Sequence, residues 1–276
     1  MGTKEPTHAL DSAPAWRQVL ARIEGAGVPY GREQSFKLVP GALLADRMLI
    51  GVPTSTFSLD ATVAVGAALG MPTAAQQIVT QRFGEANAVF FATEESGVHR
   101  VFKLYLEFWD AVRRRVRAGD ASPQLLHLGV KWDSARPGHF EEAHYICVPL
   151  LNTRDVLQRM RAVVPEAAPA AAVDIAQDIV RLAARVRPQA PFLYLEVSET
   201  GNPRRSFDVN LYKSGLAVAD AASQLRAAAA HFAVAGERFE AVLAGMQQMP
   251  LGHIAAGCDR RGGEFFSVYA EVAPLP

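Results

Sequence analysis

Cysteine is scarce in this chain. Cys147 and Cys258 are the only two, too few for a disulfide scaffold or a cysteine-based zinc site, and they are expected as reduced, buried thiols. Long apolar runs are missing as well. The densest, Ala61 to Met71, falls short of the roughly 18 residues that span a bilayer. The polar start, Met1 to Pro14, lacks the apolar core of a signal peptide, so a soluble, cytoplasmic protein is the default expectation. An excess of charge of either sign is absent too. The 28 Lys and Arg balance 28 Asp and Glu, which removes the basic surplus that nucleic-acid binding needs. The cations at Arg113, Arg114, Arg115 and Arg117 read as a solvated helix face.

Familiar site motifs are missing too. There is no Gly-x-x-x-x-Gly-Lys-[Ser/Thr] loop, no Gly-x-Gly-x-x-Gly after a strand, no Gly-x-Ser-x-Gly elbow and no His-Glu-x-x-His. The seven histidines show no metal-ligand spacing, although His127 and His144 could meet across one hairpin. Asp-Asp-x-x-Asp, the carboxylate cluster that holds magnesium diphosphate in helical isoprenoid enzymes, is also absent.

What the chain does have is a repeated pattern over its 276 residues, half of them apolar. Pairs of strand-like runs surround turn residues: 88–94 with 100–108, 125–133 with 142–148, 192–198 with 206–212, and 254–258 with 265–272. Helical periodicity fills the gaps at 109–118, 153–163, 171–186, 218–232 and 237–246. In 171–186 the spacing puts Ile175, Ile179, Leu182 and Val186 on one face. Further helices are expected at 15–24, 59–69 and 73–82, and a weaker strand pair at 35–39 and 47–52 would supply a fifth unit. Hairpins separated by helices give an α+β fold, not a doubly wound parallel sheet. The expected organisation is a flexible tail over 1–14 and one domain over 15–276.

The second strands of the units alternate alike. Phe102, Leu104 and Leu106 lie on one face and Lys103, Tyr105 and Glu107 on the other; Phe266-Ser267-Val268-Tyr269-Ala270-Glu271 and Phe207-Asp208-Val209-Asn210-Leu211-Tyr212 follow suit. Helices would cover the apolar face. The polar face is either the wet side of an open sheet or the lining of a closed barrel. Tyrosine recurs on it, at Tyr105, Tyr212, Tyr269 and, from a first strand, Tyr194, and eight to ten antiparallel strands tend to close or split. Both points favour a lumen.

This repeated helix–strand–strand–helix unit resembles the aromatic prenyltransferases of the ABBA, or PT-barrel, type, over about 88–272. The resemblance implies a ten-stranded antiparallel barrel inside a ring of helices. In the indole prenyltransferases of that family, Lys-x-Tyr elements on barrel strands hold and shield an allylic diphosphate. Lys103-Leu104-Tyr105 matches; Ser267-Val268-Tyr269 keeps only the tyrosine, and Asp208-Val209-Asn210 keeps neither.

The implied activity is transfer of an allylic prenyl group from its diphosphate to an aromatic or other nucleophilic acceptor, small molecule or peptide. Lys103, Lys131 and Arg205 would bind the diphosphate. Tyr105, Tyr194, Tyr212 and Tyr269 would shield the carbocation. Glu107, Glu196, Asp133 and His253 are the acid–base candidates, each placed by alternation on the polar face. Magnesium is the one cofactor that a diphosphate brings into question. Two other readings stay open: a non-catalytic barrel that binds a small molecule, favoured if lumen cations are sparse, and an assembly or maturation partner, favoured by a broad exposed apolar patch.

Overall fold

The computed structural model describes residues 14–96, 99–165 and 170–272. Residues 1–13 of the expected tail, and Gly97 of the first expected turn, lie outside the described residues. The chain begins with α1 (Ala15–Gly25) and a hairpin, β1 (Gly31–Val39) and β2 (Ala42–Pro53), followed by α2 (Leu59–Ala68) and α3 (Thr73–Arg82). A second hairpin, β3 (Ala88–Ser96) and β4 (His99–Glu107), leads to α4 (Trp109–Arg117). The third, β5 (Gln124–Asp133) and β6 (Phe140–Cys147), leads to α5 (Thr153–Ala162) and α6 (Ala171–Val186). The fourth, β7 (Leu193–Glu199) and β8 (Arg205–Asn210), leads to α7 (Ala222–His231) and α8 (Gly236–Met246); β9 (Leu251–Cys258) and β10 (Glu264–Val272) form the fifth.

The ten strands pair antiparallel throughout and close into a barrel, β1 bonding to both β2 and β10. Closure answers the open-sheet alternative: no edge remains unpaired. The weakly patterned N-terminal pair is as regular as the others. It read poorly because β2 carries apolar residues on both faces (Met48, Leu49, Ile50) and a register shift interrupts its pairing with β1.

Local signals explain the helices. Ser58 accepts the amide of Ala61 at the start of α2, and Asn152 accepts that of Asp155 at the start of α5. On α6 the buried stripe is Ala172, Val173, Ala176, Ile179, Val180 and Ala183; Ile175 and Leu182 pack at its margin, and Val186 is exposed. The face is rotated from the one expected, because its alanines let the helix sit close to neighbours. The stretch 218–232 divides into a 3-10 turn at Val218–Ala221 and then α7.

Apolar side chains pointing out of the barrel form the core with the inner faces of the helices. One cluster joins α5–α8 to β1 and β7–β10, another joins α1–α3 to β2–β5. Trp132 belongs to this shell: it stacks on Phe102, and its indole Nε1 donates to the Leu69 carbonyl at 2.8 Å. The large hydrophobics that stand exposed among the described residues are Leu150 and Val186, which do not make a broad apolar patch. No helix among the described residues is long and apolar enough to cross a membrane. Enclosing the barrel in helices leaves its inner face as the enclosed polar surface.

Candidate functional site

The strand faces that point inward divide the lumen into a cationic floor and a chamber above it. Inward residues of β1 (Lys37), β2 (Arg47), β4 (Lys103) and β5 (Lys131), with Arg204 from the turn before β8, surround a recess of about 40 Å³. Lys103 and Lys131 stand directly opposite each other in the β4–β5 register. Like charges so placed repel, and two carboxylates compensate. Glu94 Oε2 accepts from Arg47 Nε at 3.0 Å and from Lys103 Nζ at 3.1 Å. Glu199 is enclosed by Lys131, by Arg204 Nη1 at 2.8 Å and by Asn202 Nδ2 at 2.9 Å.

Five basic side chains outnumber the carboxylates Glu94, Glu199 and Asp208 around the recess, although burial pushes the Lys131 ammonium well below its ordinary value and lowers that of Lys37. Arg47 Nη1 is buried without a hydrogen-bond partner, a donor held ready for an acceptor. Lys37 and Arg204 lie over the Phe265 ring, 4.7 and 5.7 Å from its centroid. Burial pushes the Lys103 ammonium down to about 8, although Glu94 works to keep it charged. Burial also opposes the charge on Arg47, but Tyr269 and Glu94 outweigh it and the guanidinium stays firmly protonated.

Above the recess a cavity of about 290 Å³ shares Arg47, Lys103, Tyr105, Tyr145, Asp208 and Tyr269 with it. Three tyrosines form the collar between the two. Tyr105 and Tyr145 meet edge to face at 5.5 Å, and Tyr145 meets His127 the same way at 5.8 Å. Glycine makes this possible: a Cβ on Gly129 would lie 2.7 Å from the Tyr105 ring, and one on Gly51 would lie 2.6 Å from the Phe90 ring. Each ring lies across the bare backbone of the neighbouring strand.

The chamber holds a chain of ionic hydrogen bonds. His253 Nδ1 contacts Asp208 Oδ2 at 2.7 Å and His253 Nε2 contacts Glu33 Oε2 at 3.1 Å, while the Tyr212 hydroxyl donates to Glu33 Oε1. Burial disfavours the imidazolium, yet the two carboxylates outweigh it and hold the His253 pKa well above its ordinary value. Glu33 stays ionised: burial pushes its pKa up, and His253 and Tyr212 bring it down further. His127 is buried with no carboxylate bonded to it and is pushed down to about 4, so it stays neutral. Glu107 lines the cavity wall and takes a hydrogen bond from Asn87 Nδ2 at 2.9 Å; burial raises its pKa. Met48, Leu49, Phe90, Leu193 and Leu195 supply an apolar wall. An open groove lined by Tyr30, Pro53 and Pro250 leads in past Phe90 and Tyr212.

The lumen gathers Lys103, Lys131, Tyr105, Tyr212, Tyr269, Glu107 and His253 of the expected residues. The other four stand elsewhere. Tyr194 is fully buried in the shell, stacked on Phe207, with its hydroxyl unpaired. Glu196 points the same way, outward, and pairs with Arg159 of α5 at 2.8 Å. Both are out of phase because β7 turns Leu193, Leu195 and Val197 inward. Its lumen face is the apolar one, so polarity misassigned it.

Asp133 ends β5 and pairs with the exposed His99 at 2.7 Å, away from the cavity. Arg205 is exposed, and its neighbour Arg204 enters the floor. His127 and His144 do not meet: a register shift in β5 sets His127 opposite Tyr145, and His144 bonds Glu142 instead.

Two of the retained residues have altered roles. His253 is a cation fixed by two carboxylates, hence no base. Tyr269 has the His253 ring stacked parallel to it at 3.9 Å and the Arg47 guanidinium over its ring, 5.4 Å from the centroid, so its π-system is already engaged. Tyr212 lies past the end of β8, in a 3-10 turn, and reaches the chamber over Gly252, where a Cβ would lie 2.5 Å from its hydroxyl.

Sequence reasoning missed Lys37, Arg47, Arg204, Glu33, His127 and Tyr145. Glu33, Ser35 and Lys37 alternate with the register of β10 and were open to the same period-two test that found Lys103. Arg204 precedes its strand and carries no periodic signal. The carboxylates do not converge as a metal site: no group of three or more His, Cys, Asp or Glu among the described residues could hold an ion.

The fold is that of aromatic prenyltransferases of the ABBA type. Similar solved structures include 5-dimethylallyltryptophan synthase from Streptomyces coelicolor, 17% identical over 88% of this chain and 80% of that one, with a TM-score of 0.53. They include 6-dimethylallyltryptophan synthase from Micromonospora olivasterospora in complex with DMASPP and Trp, at 14% identity, 88% and 84% coverage and a TM-score of 0.57. AnaPT from Neosartorya fischeri is 12% identical over 87% and 77%, with a TM-score of 0.55. No protein-family model and no curated protein sequence matches the chain.

Proposed function

We propose that this protein transfers an allylic prenyl group from its diphosphate to an aromatic acceptor inside the barrel. The observation that carries the reading is one continuous lumen with clustered basic side chains at its floor, tyrosine rings above them and a chamber with one apolar wall beyond. A diphosphate removed from water requires several fixed cations. Lys103, Arg47 and Lys37 would take its oxygens, with Lys131 and Arg204 behind them.

In the reaction, the bond between the allylic carbon and the bridging oxygen breaks, and its electron pair leaves with the diphosphate. The floor stabilises that departing charge. The cation left behind lies against Tyr105 and Tyr145, whose quadrupoles attract it. A π-electron pair of the acceptor forms the new carbon–carbon bond, and the acceptor then gives up a proton to a carboxylate. We assign that base to Glu33, which is ionised and lines the chamber, in place of Glu196, Asp133 and His253; Glu107 stands at the same chamber's wall.

The neighbour solved with DMASPP and Trp makes a five-carbon donor and an indole the first pair to assay. Incubation with dimethylallyl, geranyl and farnesyl diphosphates and a panel of indoles, phenols and peptides, read by mass spectrometry, should give a product heavier by one prenyl group. No mass gain with any pair, together with no thermal shift from any diphosphate, would sink the reading. The reading of a non-catalytic barrel drew on sparse lumen cations, and the floor removes that support.

A further inference from the structure

The two carboxylates of the floor are built differently. Glu199 is fully enclosed: its Oε1 meets Lys131 and Arg204, its Oε2 meets Asn202, and its side chain has no exposure. Glu94 lines the recess, keeps 17% of its side-chain surface, and makes both of its ion pairs through one oxygen, Oε2. Those pairs engage Arg47 and Lys103, the two floor cations that also line the main cavity. The same Arg47 carries the unpaired buried Nη1. Glu94 thus occupies, with one oxygen, the place where an oxygen of an anion entering from the cavity would bind.

We infer that Glu94 is a displaceable internal counter-ion: it pairs with Arg47 and Lys103 in the empty protein and gives them up to the incoming diphosphate. Glu199, by contrast, is a fixed strut that positions Lys131 and Arg204. The inference rests on the diphosphate reading and specifies how that site is kept when empty. Physically, a buried pair of cations without an anion is costly, so an empty floor needs a substitute. A substitute that competes for the same donors lowers the affinity of the anion that replaces it.

The test uses inorganic pyrophosphate, titrated by calorimetry into the full chain and its variants, with thermal unfolding in parallel. Glu94→Gln should bind pyrophosphate about tenfold tighter than wild type. It should also unfold at a lower temperature when empty and show a larger pyrophosphate-induced rise. Glu199→Gln should lose stability with no gain in affinity. Should Glu94→Gln not fold, Glu94→Asp, one methylene too short to hold both cations, should still bind tighter than wild type.

Equal or weaker pyrophosphate binding by whichever Glu94 variant folds overturns the inference and leaves the prenyl-transfer reading standing. So does a gain of the same size in Glu199→Gln, which would make the effect one of net charge alone. Absence of pyrophosphate binding in both wild type and variant also overturns it. Conversely, tighter binding in the variant with no prenyl transfer to any acceptor supports the counter-ion and removes the reading.

Discussion

The floor and the chamber of one barrel solve opposite electrostatic problems. The floor gathers five basic side chains around Glu94 and Glu199, with Asp208 at its edge, so basic groups remain for a ligand. The chamber places one imidazolium between two carboxylates, and its ion pairs close on themselves. Buried charge is tolerated in both, but the floor keeps a charged donor without a partner, Arg47 Nη1. The lesson is that the number of charges in a lumen says little. What matters is which of them already have partners.

The largest way to break this comparison is to remove the hub of the chamber. His253→Leu takes the shared cation from Asp208 and Glu33, leaving Glu33 with the Tyr212 hydroxyl alone, and should cost about 3–5 kcal/mol of stability, measured by denaturant unfolding. A loss under about 1 kcal/mol would mean that the triad is not a closed unit. On the floor, Lys103→Ala should weaken pyrophosphate binding by about 100-fold, the order expected for a desolvated charge-assisted contact. It should leave Glu94 paired with Arg47. Unchanged affinity by calorimetry would make Lys103 structural.

Between the two halves stands the tyrosine collar. Gly129→Ala places a Cβ 2.7 Å from the Tyr105 ring and should cost about 1–3 kcal/mol through overpacking. Prenyl-transfer turnover should fall alongside, since the ring must leave its place.

A gentler probe is pH, to which the halves respond with opposite signs. His253 is held above its ordinary value of 6.5. Its stabilising contribution is fully present below 6.5 and is lost as pH rises through the folded-state value. Lys103 releases its proton near 8 in the folded protein and near 10.5 when unfolded. Its contribution to stability therefore rises with pH across that interval. His253→Gln should abolish the falling component of the pH profile, and Lys103→Met should reduce the rising one, to which Lys37 and Lys131, also pushed down by burial, contribute. Pyrophosphate affinity should decline above about pH 8 in wild type. The smallest effect falls outside both regions: Tyr194→Phe removes an unpaired buried hydroxyl in the shell and should raise stability by up to about 1 kcal/mol with turnover unchanged. A loss of turnover would return Tyr194 to the site.

Much of this was legible in the order of residues. Phe102 to Glu107 has apolar and polar residues strictly alternating, so the face of Lys103 and Tyr105 could be read directly. Leu193 to Glu199 could not be read that way. Leucines and a tyrosine share the strand, and the leucines turn inward because the cavity wall there is itself apolar. Asp133 and Arg205 failed for another reason: each sits at a strand end, where Asp133 lies past the floor beside His99 and one residue separates Arg205 from the inward Arg204.

Local chemistry by itself determined the hairpin-and-helix repeat, the antiparallel pairing within hairpins and the absence of a metal or nucleotide motif. These follow from periodicity and turn residues, which act over a few positions. Only closure of the barrel decided the site. Joining β1 to β10 brings Lys37 and Glu33 of the first strand to the lumen that holds Lys103, Arg204 and His253. Partners that far apart in the chain have no local signature. Whether a charge is neutralised or left free for a ligand is a property of those partners, set by three-dimensional packing.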